Sequence, residues 1–268
     1  MPLTIATWNI NSVRLRMPLV AKFLAEYQPD LLCLQETKCP DELFPQDEVR
    51  ALGYRHIAFH GQKGYHGVAT FSKRPIETIE KREFCKKGDS RHLSVRFEAG
   101  GKPVLLHNFY VPAGGDEPDP EINPKFRHKL AMLDELSDWF ATNHYESRRA
   151  ILLGDLNIAP LETDVWSHKQ LLSVVSHTPV EVEKLGRLQA SAGWVDAVRA
   201  VIPPEEKLFS WWSYRNRDWN ASDRGRRLDH IWLTPALAPK LRHADVRREA
   251  RGWEMPSDHV PVTVELAV

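Results

Sequence analysis

The sequence predicts an α/β fold, with two packed sheets flanked by helices and a polar site along one rim. Three observations carry that prediction. Short apolar runs of strand length, such as residues 31–34 and 150–153, are bounded by glycine or polar residues. Between such runs lie stretches whose apolar residues follow a 3.6-residue period. Polar residues also stand at the strand ends: Asn9, Asn11, Glu36, Tyr110, Asp155, Asn157, Asp229, Asp258 and His259. A chain of 268 residues can bury one large core undivided, so residues 1–268 read as a single domain.

Taken in order, residues 3–8 form a strand that leaves Asn9 and Asn11 beyond its end, with Arg14 and Arg16 close behind. Pro18 opens a helix whose Val20, Phe23, Leu24 and Tyr27 share one face, and Pro29-Asp30 closes it. Residues 31–34 make a buried strand that ends at Gln35-Glu36. Residues 41–52 read as a helix stopped by Gly53, and 54–59 as a returning strand. The loop 61–67 holds Gly61, Gly64 and Gly67 with Lys63 and aromatic residues, a composition that lets backbone approach a ligand. Leu93, Val95 and Phe97 alternate, Gly100-Gly101 turns the chain and 104–110 returns as the second arm of a hairpin.

Residues 111–124 form a surface loop rich in proline, glycine and acids. The helix after it carries Phe126, Leu130, Leu133, Leu136 and Phe140 as its apolar stripe, with Lys125, Arg127, His128 and Lys129 in its first turn. The run at 150–153 then delivers Asp155 and Asn157, two residues apart and able to point into one volume, although Gly-Asp-Leu-Asn is also a turn signal. Residues 161–172 form a loop or short helix with Trp166, Ser167 and His168, and 185–192 is helical. Residues 209–214 combine Trp211, Trp212 and other aromatics with Arg215, Arg217, Arg224, Arg226 and Arg227 nearby. Aromatic and arginine side chains interleaved in this way suit a nucleic-acid surface, and equally a strand beside a solvated basic loop. Residues 228–233 are an apolar strand containing Asp229, an acid that needs a partner there. The last strand, 260–266, alternates cleanly behind Ser257-Asp258-His259.

With 36 basic and 36 acidic residues the chain has no global field, so an acidic partner must be held by a local patch. Cys33, Cys39 and Cys85 are odd in number and lack metal-site spacing, which excludes a disulfide framework and points to a reducing compartment. No apolar run reaches the length of a membrane span, and a soluble, cytoplasmic, monomeric protein is expected. The oxygen-rich candidates at the strand ends select a hard cation, Mg²⁺ with Mn²⁺ as substitute, and such ions partner phosphates.

Six segments carry a resemblance. Trp8-Asn9-Ile10-Asn11-Ser12-Val13-Arg14, Leu34-Gln35-Glu36-Thr37-Lys38, His60-Gly61-Gln62-Lys63-Gly64, Gly154-Asp155-Leu156-Asn157-Ile158, Arg227-Leu228-Asp229 and Pro256-Ser257-Asp258-His259 are similar in order and spacing to the exonuclease III family, along nearly the whole chain. The resemblance implies a four-layer αββα sandwich, DNase I-like, of the endonuclease/exonuclease/phosphatase superfamily. It implies a Mg²⁺-dependent nuclease of DNA repair acting on double-stranded DNA at 3′ ends and at abasic sites. By the same carry-over, Glu36 binds the metal with Asn9 nearby and Asp258 available, and the wider metal set includes Asp155, Asn157 and His259. Asp155 activates or orients water, Asn157 and Tyr110 bond the scissile phosphate, and His259, oriented by Asp229, donates to it. Asn11, Arg14, Lys63, Arg91, Lys125, Arg127, Trp211 and Trp212 are the expected DNA contacts, and Trp166 or His168 is expected to crowd the pocket and favour 3′-end processing. Two other readings stay open: a phosphatase of the same fold, and a nucleic-acid-binding regulator without catalysis.

Overall fold

A computed structural model describes residues 2–268. Two six-stranded sheets form its centre. In the first, β1 (Leu3–Asn9) lies parallel to β2 (Leu31–Gln35), and β3 (His56–His60), β4 (Val68–Ser72), β13 (Leu241–Val246) and β14 (Val262–Leu266) complete it in the order β13-β14-β1-β2-β4-β3. In the second, β7 (Lys102–Tyr110) lies parallel to β8 (Ala150–Asp155). There β5 (Ile76–Glu80), β6 (His92–Ala99), β9 (Val195–Asp196) and β12 (Asp229–Leu233) give the order β5-β6-β7-β8-β12-β9.

Each parallel pair is joined through a helix, as parallel strands require. The helices are α1 (Met17–Tyr27) between β1 and β2, and α3 (Pro124–Thr142) between β7 and β8. Alternation then builds the layers. Leu3 and Ile5 face the gap between the sheets, while Ala6 and Trp8 face α1; Ile151 and Leu153 face the gap, while Ala150 and Leu152 lie under α3 and α5 (Pro179–Ala190). Both faces of each sheet are therefore buried at the central strands, giving a four-layer αββα sandwich as expected. Buried amides cross the gap below the rim: Gln35 Nε2 donates to Asn108 Oδ1 at 2.7 Å and to Thr7 Oγ1 at 2.9 Å. Asn108 Nδ2 in turn donates to the carbonyls of Leu34 and Ala69.

Several elements differ from the sequence reading. The helix expected over 41–52 is a short 3₁₀ turn at Asp41–Leu43 and a separate α2 (Gln46–Ala51), because Pro45 lacks an N–H and holds the residue before it extended. α5 begins at Pro179, six residues earlier than read, because Thr178 and Glu181 form a capping box. The aromatic run at 209–214 is reduced to β10 (Trp211–Trp212), which pairs with β11 (Gly225–Arg226) and makes a single antiparallel bridge from Trp211 to His259. Strands β4, β5, β9 and β13 had no alternating apolar signal. β5 is largely exposed and β13 has the charged composition of an edge strand.

His92 and His107 are buried and stacked, with His92 Nε2 and His107 Nδ1 3.0 Å apart. Burial drives His107 down to about 3, and burial, His107 and Arg82 drive His92 well below the usual imidazole value. Both rings are neutral in the fold but protonate in the unfolded chain below about pH 6.5. Their contribution is therefore complete above that pH and is lost as pH falls, at up to about 1.4 kcal/mol per pH unit for each ring. The urea midpoint is expected to drop between pH 7 and pH 5; a flat profile would contradict this account.

Candidate active site

The rim receives the last residues of strands that run toward it and the first residues of strands that leave it. At the ends of the two parallel pairs, Asn9 is in register with Gln35 and Tyr110 with Asp155. Asp229 opens β12 directly opposite Asp155, and Asp258-His259 stand just before β14, which runs antiparallel to β1. Residues distant in sequence thus converge because the topology ends their strands together. Asn11, Glu36 and Asn157 all take left-handed backbone, with φ of 48°, 49° and 55°, so the chain turns sharply as it leaves each strand. Such conformations are costly outside glycine, somewhat less so for asparagine, and persist where surrounding contacts fix them.

Those contacts are present. The Asn157 backbone N–H donates to Asp155 Oδ1 at 2.9 Å, its Nδ2 donates to the Val111 carbonyl at 2.8 Å, and its carbonyl accepts from Lys129 Nζ at 2.8 Å. Lys129 was read as part of a basic first turn, yet it is fully buried and paired with Glu181 at 2.5 Å. At the other side, Ser257 Oγ donates to the Asn9 carbonyl and accepts from the His259 N–H, while the Trp8 indole donates to the His259 carbonyl.

At the centre, Asn9 Nδ2 donates to Glu36 Oε1 and to Asp155 Oδ2, each at 2.9 Å, so two carboxylates straddle one amide. Lys38 Nζ sits 2.8 Å from Glu36 Oε2 and donates to Asn11 Oδ1 at 2.6 Å. Asn11 Nδ2 donates to Asp258 Oδ1, and the Trp211 indole donates to Asp258 Oδ2. His259 Nδ1 lies 2.8 Å from Asp229 Oδ2, which also accepts from Ser210 Oγ, and His259 Nε2 lies 3.6 Å from Asp155.

The electrostatics sort these groups into roles. Burial opposes the charge on His259, but Asp229 and Asp155 outweigh it and raise the imidazole to about 10. Burial pushes Asp155 up to about 7 against the pull of His259, with Asp229 adding to the rise. Burial also opposes ionisation of Glu36, yet Lys38, Asn9 and His259 hold it below the usual carboxylate range. Tyr110 is pushed well above 10 by burial and by Glu36 and Asp155, so it remains a neutral hydroxyl donor.

Single ligand atoms of Asp155, Asp229 and His259 lie within 4.8 Å of one another. His259, expected both as a donor and within the wider metal set, holds Nδ1 against Asp229 and turns Nε2 toward Asp155. The carboxylates of Glu36, Asp155 and Asp258 stand in the same hydrogen-bond set and are oxygen ligands of the kind a hard divalent cation takes. The Lys38 ammonium against Glu36 marks where positive charge is welcome.

The expected DNA contacts divide. Trp211 lines a cavity of about 770 Å³ that also contains Glu36, Asn157, Trp166 and His259. Trp212 does not: it is buried against Phe209 and Trp219, and its indole donates to Asp223, so it offers no face for stacking. Asn11 lies within the central hydrogen-bond set. Arg91 is buried, paired with Asp89, and covers the Tyr110 ring at 4.9 Å, so its charge is engaged inside the protein. Arg127 is exposed but spends its guanidinium on the carbonyls of Pro120 and Glu121, while Arg14, Lys63 and Lys125 are exposed. Of the two residues expected to crowd the pocket, Trp166 lines it, and His168, the first residue of the short α4 (His168–Leu171), instead bonds His177 at 2.8 Å. Lys38, Ser210 and Ser257 were not singled out from sequence, since a lysine and two serines carry no signal until their carboxylate and backbone partners are in place.

The comparisons with known proteins agree with this geometry. The model of the endonuclease/exonuclease/phosphatase family matches residues 6–259. Exodeoxyribonuclease III of Haemophilus influenzae is 31% identical over 267 residues, spanning 97% of this chain and 98% of its own length. DNA repair nuclease APEX1 of Danio rerio is 30% identical, spanning 98% of this chain and 82% of its own. Among solved structures, an AP endonuclease from Archaeoglobus fulgidus superposes with a TM-score of 0.89 at 31% identity, covering 99% of this chain and 100% of the other. A 3′ phosphatase, NExo, from Neisseria bound to a product DNA hairpin also gives 0.89, at 30% identity, with 99% and 100% covered. The chain belongs to the endonuclease/exonuclease/phosphatase family and, within it, to the phosphodiesterases of the exonuclease III type.

Proposed function

We propose that the protein is a Mg²⁺-dependent repair nuclease of double-stranded DNA that acts chiefly at 3′ ends, as a 3′–5′ exonuclease and 3′-phosphatase or phosphodiesterase. Incision at internal abasic sites is its lesser activity. The observation that carries this reading is the juxtaposition of Glu36, Asp155 and the Asp229-His259 pair beside a rim cavity lined by Glu36, His259 and Trp166. A cytoplasmic monomer is the setting that fits. Among the described residues no helix is long and apolar enough to cross a membrane.

Glu36 would hold the cation, with Asp258 and the Asn9 side chain beside it, and a bound divalent cation would supply charge neutralisation at the phosphoryl oxygens and at the departing sugar oxygen. Asp155 takes the proton of an attacking water, aided by an affinity that burial has moved toward neutrality. His259, charged and oriented by Asp229, donates to a phosphoryl oxygen as charge develops, and the Tyr110 hydroxyl does the same from the facing strand end. Asn157 keeps Asp155 in place through its N–H and bonds the phosphate.

Two labelled duplexes with Mg²⁺ test the substrate assignment, one with an internal abasic analogue and one with a recessed 3′ end carrying a phosphate. Faster release at the 3′ end is expected, and prompt internal incision would reverse the ranking. Trp166→Gly should raise abasic incision by roughly tenfold, because a flipped sugar then has room. His168→Gly should leave it unchanged, since His168 is not part of the cavity wall.

A further inference from the structure

The cavity at the rim is lined by Arg215, Arg224 and Arg226 as well as by Glu36, Asp116 and Asp258. Arg226 differs from the arginines around it. Its neighbour in sequence, Arg227, is fully buried between Asp164 and Asp196; Arg199 is paired with Asp164, Arg248 with Asp223 and Arg91 with Asp89. Arg226 is partly buried as well, yet among the described residues no carboxylate lies within 4.0 Å of its guanidinium.

Its position is nevertheless fixed. Nη1 donates to the Val175 carbonyl at 2.9 Å and to Ser176 Oγ at 2.7 Å, and the guanidinium lies over the Trp211 ring at 5.3 Å. Trp211 is tied to the centre through its bond to Asp258. Arg226 Nε is buried with no hydrogen-bond partner. Burial alone lowers the guanidinium's proton affinity, and Glu181 compensates only from a distance. A desolvated cation without a counter-charge, clamped in place and facing a ligand cavity, is unfavourable in the free protein unless the ligand supplies the missing anion.

We propose that Arg226 is a substrate-binding residue that takes a second phosphate charge of the DNA, beyond the one met by the cation and His259. The proposal rests on the nuclease reading above. The charge has two sources: the extra negative charge of a terminal 3′-phosphomonoester, or the strand phosphate flanking the reacting one. Either is read by charge-assisted hydrogen bonds from a planar guanidinium that the Trp211 ring holds in one orientation. An abasic site lacks the first of these charges and keeps the second.

The test compares wild type, Arg226→Met and Arg226→Lys on three Mg²⁺-supplied duplexes: 3′-phosphate, 3′-hydroxyl, and internal abasic analogue. Binding of the same duplexes is measured with metal chelated. Arg226→Met is expected to lose about tenfold or more in kcat/KM and in metal-free affinity. Loss confined to the 3′-phosphate duplex assigns the charge to the terminal group, and equal loss on all three, with a shallower salt dependence, assigns it to the flanking phosphate. Arg226→Lys, which keeps charge but not the planar fork, should fall between. Unchanged rates and affinities in a folded Arg226→Met protein would overturn the proposal while leaving the nuclease reading intact. Loss of thermal stability in both variants without a change in substrate ratio or salt slope would overturn it also. If wild type hydrolyses none of the duplexes, the nuclease reading falls instead.

Discussion

Replacing Asp155 with asparagine is expected to lower kcat by roughly 10²–10⁴-fold with little change in fold. The substitution keeps shape and volume, and its amide oxygen can keep the donors on one side while its NH₂ meets the donors on the other. Asp155 Oδ1 accepts the Asn157 N–H, and Oδ2 accepts from Asn9 and, at 3.1 Å, from Asn157 Nδ2. What is lost is a proton acceptor moved by burial to about 7, near the working pH, where general bases are most effective. The same change removes one of the three negative charges, Asp229, Asp155 and Asp258, that raise His259, so the imidazole should titrate closer to its ordinary value. NMR titration of the His259 ring gives a readout independent of turnover. Wild-type kcat in a folded Asp155→Asn protein would show that another group accepts the proton.

The second large effect is on stability. Gly154 has a φ of +134°, and a Cβ built there would lie 1.9 Å from the Phe109 carbonyl oxygen, its register partner on β7. The obstacle is backbone in mid-sheet, so no side-chain rotation relieves it. Gly154→Ala should cost about 3 kcal/mol or more, combining overpacking with an unfavourable φ. The shift would also displace Asp155, the next residue, so activity should fall together with the denaturant midpoint. An unchanged midpoint would mean that β7 and β8 tolerate a separation that the present geometry excludes.

Much of this site was legible because its residues lie at the ends of apolar runs. Glu36, Tyr110, Asp155 and Asp229 each adjoin a strand whose hydrophobic pattern is clear, so a strand-by-strand reading finds them. Their convergence was less visible, since it depends on which strands are neighbours and which run parallel. The order β1-β2 and β7-β8 at the middle of two sheets cannot be read from periodicity. Surface charge was the least legible. Arg91, Lys129 and Arg227 look like solvated basic residues in sequence, and each is buried because a carboxylate distant in the chain, or two residues away for Arg91, receives it. Trp212 was read with Trp211 as one aromatic surface, whereas alternation along β10 sends the two rings to opposite sides. Edge strands such as β13 escaped because their composition follows solvent exposure rather than a buried face.

The central claim is metal-dependent attack of water on phosphorus by these rim residues. The most direct measurement supplies the purified protein with a 3′-phosphate duplex and Mg²⁺ in ¹⁸O-labelled water. The account predicts release of orthophosphate carrying one solvent oxygen, an unlabelled 3′-hydroxyl, and arrest of the reaction by a chelator. Stable binding of the duplex with no orthophosphate released would contradict it.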